Sequence, residues 1–120
     1  MADYTFAEHQ GKQIVVNDMT ACASQDEAIA LLAKTESFIK TQPPGSVLLL
    51  TDVGNIRYDV NGVEAMKNFS AAVTPHIKAS CVVGVSGVKS VIYRSIMRIT
   101  GRKIPLFGDQ QQALDWLAAQ

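Results

Sequence analysis

Acidic residues are missing from the long stretch Ala65 to Gly108, which contains seven bases and no Asp or Glu. All eleven acids and the other four bases lie outside it. The formal net charge of zero therefore hides a very uneven distribution along the chain. Because the overall charge is balanced and no groove-reading motif is present, the sequence argues against nucleic-acid binding.

Long apolar runs and cysteines are also scarce. No run of about 18 apolar residues occurs, so no transmembrane helix is expected. The first residues lack a basic stretch followed by an apolar one, so we expect no signal peptide and a cytoplasmic protein. Cys22 and Cys81 are the only cysteines, and we expect them to be reduced there. Neither has a Cys or His neighbour at metal-ligand spacing, so no metal site and no cofactor are predicted.

The remaining composition is that of a globular protein, and the 120 residues predict one domain spanning 1–120. Two short alternating runs near the start predict a β-hairpin, and buried strands then alternate with helices. We therefore predict an α/β fold with a mostly parallel sheet. The predicted strands are 3–8, 13–17, 47–53, 81–85 and 103–107, and helices begin after Ser24, Asp59, Ser86 and Asp109.

Three segments resemble a known family. They are Leu-Thr-Asp-Val at 50–53 followed by Tyr-Asp-Val-Asn-Gly at 58–62, Val-Val-Gly-Val-Ser at 82–86, and Thr-Gly-Arg-Lys-Ile-Pro-Leu-Phe at 100–107. These segments are similar to those of STAS domains, the anti-sigma-factor-antagonist fold. The closer resemblance is to the SpoIIAA-like subgroup, which is also grouped with CRAL-TRIO lipid-binding domains. The resemblance implies a STAS-like fold, and it covers 46–117 better than the first 45 residues.

One departure from the family pattern bears on function. STAS domains of sigma-factor switches carry Asp-Ser-Ser-Gly at a helix start, and a kinase phosphorylates the second Ser. The matching residues here are Asp59, Val60, Asn61 and Gly62. Because neither Val60 nor Asn61 has a hydroxyl, phosphorylation at this position is not expected, whereas the loop itself is expected to remain a docking or ligand surface.

Polar residues follow the predicted parallel strands, where ligands bind in open α/β sheets. The candidate ligand- or partner-binding residues are Asp52, Asn55, Arg57, Asp59, Asn61, Ser86, Gly87 and Lys89. Two alternatives remain open for the acids, since they could simply cap turns and helix N–H groups or form an ion-pair cluster. Ser86 to Lys89 could likewise bind an anion at a helix start or be an ordinary Ser N-cap.

The helix predicted after Ser86, the third in the chain and called the basic helix below, suggests a second candidate surface. Arg94 and Arg98 are four residues apart, and Arg102 follows the helix end. With Tyr93 and Met97 beside them, they could meet an anionic membrane, an acidic partner or a second copy in a homodimer. The alternative is a solvated face with cations near the helix C-terminus.

Catalysis has little support in the sequence. The two histidines, His9 and His76, do not follow a predicted parallel strand, and Trp116 could face either the core or an interface. We therefore predict a non-catalytic, cytoplasmic domain that binds a protein partner or a small ligand at the strand-end loops. Peripheral binding to lipid or anionic membranes through the basic helix is the alternative, and an enzyme using Asp52 or Asp59 is a third hypothesis.

Overall fold

The computed structural model describes residues 3–53, 58–85, 94, 97–98, 101 and 104–120. Within these residues, five strands form one sheet, with neighbouring strands in the order of the chain. They are β1 (Thr5–His9), β2 (Lys12–Asp18), β3 (Val47–Asp52), β4 (Ile77–Val83) and β5 (Leu106–Phe107). The first two strands are antiparallel, and β2 to β5 are parallel. The predicted mostly parallel sheet with an N-terminal hairpin is confirmed.

The hairpin closes through the two-residue turn Gln10–Gly11, which joins the paired residues His9 and Lys12. Both turn residues have positive φ, 51° at Gln10 and 79° at Gly11. Such turns match the right-handed twist of the flanking strands, and glycine adopts this backbone conformation without steric cost.

Three helices are described along most of their length: α1 (Gln25–Ile39), α2 (Val60–Val73) and α3 (Gln110–Ala118). Each begins at the predicted N-cap, whose side chain accepts a backbone N–H: Ser24 from Glu27, Asp59 from Asn61 and Gly62, and Asp109 from Gln112. The Glu27 side chain also accepts a hydrogen bond from the backbone N–H of Ala23 at 2.9 Å, just before the start of α1. None of the described helices is long and apolar enough to cross a membrane.

The sheet separates two apolar clusters. Helices α1 and α2 pack on one face, where the cluster contains Leu31, Leu49, Phe69 and Val82. Helix α3 packs on the other face, where Leu50 and Leu117 belong to the cluster. Strand β3 is buried along its whole length, as expected for a central parallel strand covered on both faces.

The fourth strand differs from its prediction. It begins at Ile77 instead of residue 81 and ends at Val83 instead of 85. Ile77 pairs with Val47 at the start of β3, so the strand begins four residues before the predicted start. Gly84, with φ of 86°, turns the chain away at the other end. Strand β5 lies at the edge of the sheet and covers only the end of the predicted strand 103–107. Pro105 precedes β5, and its carbonyl oxygen accepts the N–H of Val82 at 3.0 Å.

Candidate functional site

The carboxyl ends of the parallel strands meet at one edge of the sheet, where α1 and α2 also begin. Asp52 ends β3, and its pairing partner at the end of β2 is Asp18. Asp18 was missed by the sequence analysis, although the predicted hairpin followed by a crossover helix already placed the end of β2 at this edge. Its carboxylate accepts the N–H of Thr20 at 3.0 Å and so caps the short turn Met19–Ala21.

Asp59 lies at the centre of a dense hydrogen-bond arrangement. Its Oδ1 accepts the backbone N–H of Asn61 at 2.9 Å and of Gly62 at 3.3 Å. The same oxygen accepts Nε2 of Gln25, the first residue of α1, at 2.8 Å. The Oε1 of Gln25 in turn accepts the backbone N–H of Asp59 at 2.8 Å. One amide group therefore bonds to both the backbone and the carboxylate of Asp59 and joins the starts of α1 and α2.

These bonds lower the pKa of Asp59. The largest cause is the hydrogen bond from the Gln25 side chain, and the backbone N–H groups of Gly62 and Asn61 add to it. Each stabilises the ionised carboxylate. Asp59 is therefore a charged N-cap at the positive end of the α2 dipole.

Gly62 is what allows α1 and α2 to approach so closely. A Cβ at this position would lie 2.2 Å from Oε1 and 2.7 Å from Cδ of Gln25, and 3.0 Å from Cδ1 of Tyr58. Any side chain at residue 62 would displace the Gln25 amide. The glycine of the Asp-Val-Asn-Gly segment is therefore needed for packing, although its φ is not positive.

Tyr58 connects the two sides of the loop that joins β3 to α2. Its hydroxyl lies 3.3 Å from the carbonyl oxygen of Val53, to which it donates, and 3.3 Å from Sδ of Met19. Burial, and to a smaller extent Cys22, raises the pKa of Tyr58 to about 12. The phenol therefore stays neutral and keeps its proton for the Val53 carbonyl.

Asp52 has different neighbours from Asp59. Its Oδ2 accepts Nε2 of Gln110, the first residue of α3, at 3.0 Å. The two acids predicted as one site thus bond to helices on opposite faces of the sheet. The predicted site residues Asn55, Arg57, Ser86, Gly87 and Lys89 lie outside the described residues.

The first residues of α2 are exposed to solvent. Asp59, Val60 and Asn61, called the tip below, are all exposed, and Val60 is 82% exposed. Val60 follows the fixed N-cap directly, so an apolar side chain projects from a well-held turn. In the sequence, Val60 differs from the family pattern by a missing hydroxyl, and only the fold shows that its apolar side chain is exposed.

The predicted basic surface is described in part. Arg94, Met97 and Arg98 are helical, and both arginines are exposed. Met97 is half-buried and packs against the core, and its Sδ accepts the N–H of Ile104 at 3.2 Å. Gly101 has φ of 72° and donates its N–H to the Met97 carbonyl at 2.9 Å, which is the geometry of a left-handed C-cap. Arg102 lies outside the described residues.

The histidines and cysteines have structural surroundings. His9 contacts Asp115 of α3 at 2.6 Å, and His76 contacts the Gln42 carbonyl at 2.8 Å; both lie at the sheet edge opposite the tip. Burial raises the pKa of Cys81 to about 12, and burial followed by Glu27 and Asp18 raises that of Cys22. No group of three or more potential metal ligands is found within the part of the chain that the structure describes.

A cavity of about 40 Å³ lies between the sheet and helices α1 and α2. Its described lining is mainly apolar, including Leu32, Met66 and Phe69, with Thr51, Ser70 and Ser80 as polar residues. A cavity of this size has room for roughly one to three water molecules.

Comparisons with known proteins support the fold. The sequence matches no protein-family model and no curated protein. Among solved structures, the chain is similar to an anti-sigma-factor antagonist (STAS) domain protein from Planctomyces limnophilus, with a TM-score of 0.63 and 12% identity. The match covers 98% of this chain and 99% of that chain. At this identity the likeness concerns the fold alone, and the predicted STAS-like fold is confirmed.

Proposed function

We propose that this chain is a non-catalytic regulatory domain, spanning residues 1–120, that binds a protein partner through the tip. The observation that carries the proposal is the exposure of Val60, 82%, on a turn held by the Asp59 cap and by Gln25. A single exposed apolar residue is common on protein surfaces. An apolar side chain that is already held in one position differs, because a partner that binds it causes little further loss of conformational entropy.

The fold supports the same proposal. The similar solved structure is named an anti-sigma-factor antagonist, a protein defined by its partner, and we extend a partner-binding role to this chain. Because Asn61 has no hydroxyl, partner binding is proposed to be independent of phosphorylation at this position. The surrounding strand-end residues Asp52, Asn55, Arg57, Ser86, Gly87 and Lys89 are proposed to complete the surface.

Affinity capture with a matched pair of variants tests this proposal. Val60→Asp places a charge on the tip, and Asn68→Asp adds the same charge at another exposed position of α2. The wild-type chain would be used to capture a protein from cells of its source organism. The captured protein would be purified, and its affinity for the wild type and for each variant would be measured by calorimetry. We expect Val60→Asp to weaken binding about 10-fold or more and Asn68→Asp to leave it unchanged. Equal affinities of the two variants and the wild type would contradict the proposal.

A second candidate function is binding to an anionic membrane surface through the basic helix. Arg94 and Arg98 are both exposed, and their four-residue spacing puts them on one helix face. The segment they belong to contains no acid, so an anionic surface would meet no repulsion from this part of the chain.

Vesicle sedimentation tests the membrane hypothesis. We expect the protein to sediment with phosphatidylserine-containing vesicles at low salt and to be released as salt is added. Combining Arg94→Ala with Arg98→Ala should reduce sedimentation, whereas vesicles of phosphatidylcholine alone should not bind the protein. Failure to sediment at low salt would exclude this function.

A further inference from the structure

Gln25 makes two side-chain hydrogen bonds that are not needed to form either α1 or α2. Its Nε2 donates to the Asp59 carboxylate, and its Oε1 accepts the Asp59 N–H, both at 2.8 Å. The two residues are 34 positions apart in the chain, so this contact, called the Gln25 clasp below, is tertiary. It joins the first residue of α1 to the N-cap of α2.

The chemistry of the clasp suits glutamine specifically. A planar amide offers one donor and one acceptor side by side, and Asp59 presents a matching acceptor and donor. Glutamate has the same shape, but its carboxylate cannot donate and would face the carboxylate of Asp59. Asparagine has one methylene fewer and would not reach. The absence of a Cβ at Gly62 leaves the space that the Gln25 amide occupies.

We infer that Gln25 is a positioning residue for the tip: through the clasp it holds Asp59, Val60 and Asn61 in the conformation that binds the partner. This inference rests on the proposed function of the tip. Asp59 Oδ1 accepts three hydrogen bonds, of which only the one from Gln25 originates outside the loop and α2. Without the clasp, the tip would keep its cap but lose its connection to α1.

The clasp can be measured without a partner. In Gln25→Ala and in the isosteric Gln25→Glu, we expect faster hydrogen exchange at the N–H groups of Asp59, Asn61 and Gly62. The pKa of Asp59, followed by carboxyl-carbon NMR, should rise in Gln25→Ala, because the Gln25 hydrogen bond is the largest cause lowering it. Gly62→Ala should give the same faster exchange, since its methyl group displaces the Gln25 amide.

A double-mutant cycle strengthens the assignment. If Gly62→Ala already breaks the clasp, adding Gln25→Ala should produce little further loss of partner affinity, so the two effects should be non-additive. Each variant alone should weaken partner binding about 3- to 10-fold, the range expected for one or two hydrogen bonds. Fully additive losses would contradict a shared contact.

The outcomes separate this inference from the proposed function. If Val60→Asp abolishes binding while the Gln25 variants keep wild-type exchange and affinity, the positioning role is overturned and the binding tip stands. Faster exchange with unchanged affinity also overturns it, because the clasp would then be purely structural. If Val60→Asp leaves affinity unchanged, the proposed function fails, whereas the exchange and the Asp59 titration still report on the clasp.

Discussion

The two faces of the sheet are built by the same strands but differ in polarity. On the α3 face, the strand residues Ile14, Val16, Leu48, Leu50, Cys81 and Val83 are apolar and pack against Ala113 and Leu117, and the buried charged residue Asp52 follows at the carboxyl end of β3, where it accepts Nε2 of Gln110. On the face covered by α1 and α2, Asn17, Thr51 and Ser80 alternate with apolar residues and are buried together with Thr35 and Ser70. Successive strand residues point to opposite faces, so a single set of strands supplies both surfaces.

Hydrogen bonding explains how the polar face orients its helices. The Thr35 hydroxyl of α1 bonds to the Leu31 carbonyl at 2.9 Å and to Asn17 of β2. A hydroxyl has one proton, so both bonds are satisfied if the Asn17 amide donates to Thr35 and Thr35 donates to Leu31. In the structure, Oδ1 of Asn17 faces the Thr35 hydroxyl, and Nδ2 has no partner among the described residues. Turning the amide over would bring Nδ2 to Thr35 and leave an unpaired acceptor instead, which is more readily tolerated than an unpaired donor.

This difference indicates a division of roles. Apart from the contacts of Gln110 with Asp52 and of Asp115 with His9, the α3 face gains its stability from apolar burial, which is not directional. The polar face also selects one position of α1 on the sheet, and α1 carries Gln25 to the tip. We therefore expect substitutions on the α3 face to change stability most, and substitutions along α1 and its edge to change stability less.

Leu117→Ala should have the largest effect on stability. Leu117 is fully buried against the sheet, and the truncation would leave a cavity, so we expect a loss of about 2–5 kcal/mol in the free energy of unfolding. Urea denaturation followed by circular dichroism measures it. Leu114→Ala, on the same helix but only half-buried, is the control and should cost clearly less. Equal losses would show that α3 is not anchored through Leu117.

Thr35→Val tests the polar face, and its effect should be intermediate. Valine keeps the shape but removes the hydroxyl that contacts buried Asn17, so we expect a loss of about 1–3 kcal/mol. Thr35→Ser keeps the hydroxyl and removes one methyl group, which should cost about 1 kcal/mol. If the valine variant proved the more stable of the two in urea, the hydrogen bond would not stabilise this face.

Much of the fold could be predicted because it depends on local patterns. Residues 47–50 are apolar at every position, which indicates burial on both faces, and the Ser24, Asp59 and Asp109 caps follow from their places before apolar periodic segments. The start of β4 was missed because Lys78 and Ser80 interrupt the apolar pattern just after Pro75. Only the pairing of Ile77 with Val47 shows that these residues form a strand.

The site was less predictable than the fold because its contacts join residues that are far apart in the sequence. Asp59 was expected as a cap, but nothing local marks Gln25 as its partner 34 residues away. Gly62 was the one local sign of a close contact. Glycine in the first turn of a helix lowers helix propensity, so its presence there indicates that another group packs against it. The polar residues Asn17, Thr35, Thr51 and Ser80 resemble surface residues individually, and only the fold buries them together.

Tyr58→Phe should have a smaller effect on stability. Tyr58 lies in the loop between β3 and α2, beside the polar face. Losing the hydrogen bond to the Val53 carbonyl should cost about 0.5–1.5 kcal/mol. Folding raises the pKa of Tyr58 from 10.0 to about 12 and so favours the neutral phenol. Its contribution to stability is therefore complete below pH 10 and is lost as the pH rises through 12. Absorbance titration of the folded protein should show a late-ionising tyrosine that is missing in Tyr58→Phe; identical titrations would contradict this assignment.

Asp59→Asn should have the smallest effect at neutral pH, because asparagine caps helices as well as aspartate does and its Oδ1 still accepts the Gln25 amide. The difference should appear only in acid. Folding lowers the pKa of Asp59 below its usual 3.8, so the ionised form is favoured in the folded state. That contribution is complete above the unfolded-state pKa and is lost as the pH falls through the folded-state value. Urea midpoints measured stepwise into acid should fall more steeply for the wild type than for Asp59→Asn. Superimposable profiles would mean that the Gln25 clasp does not depend on the charge of Asp59 and acts through hydrogen-bond geometry alone.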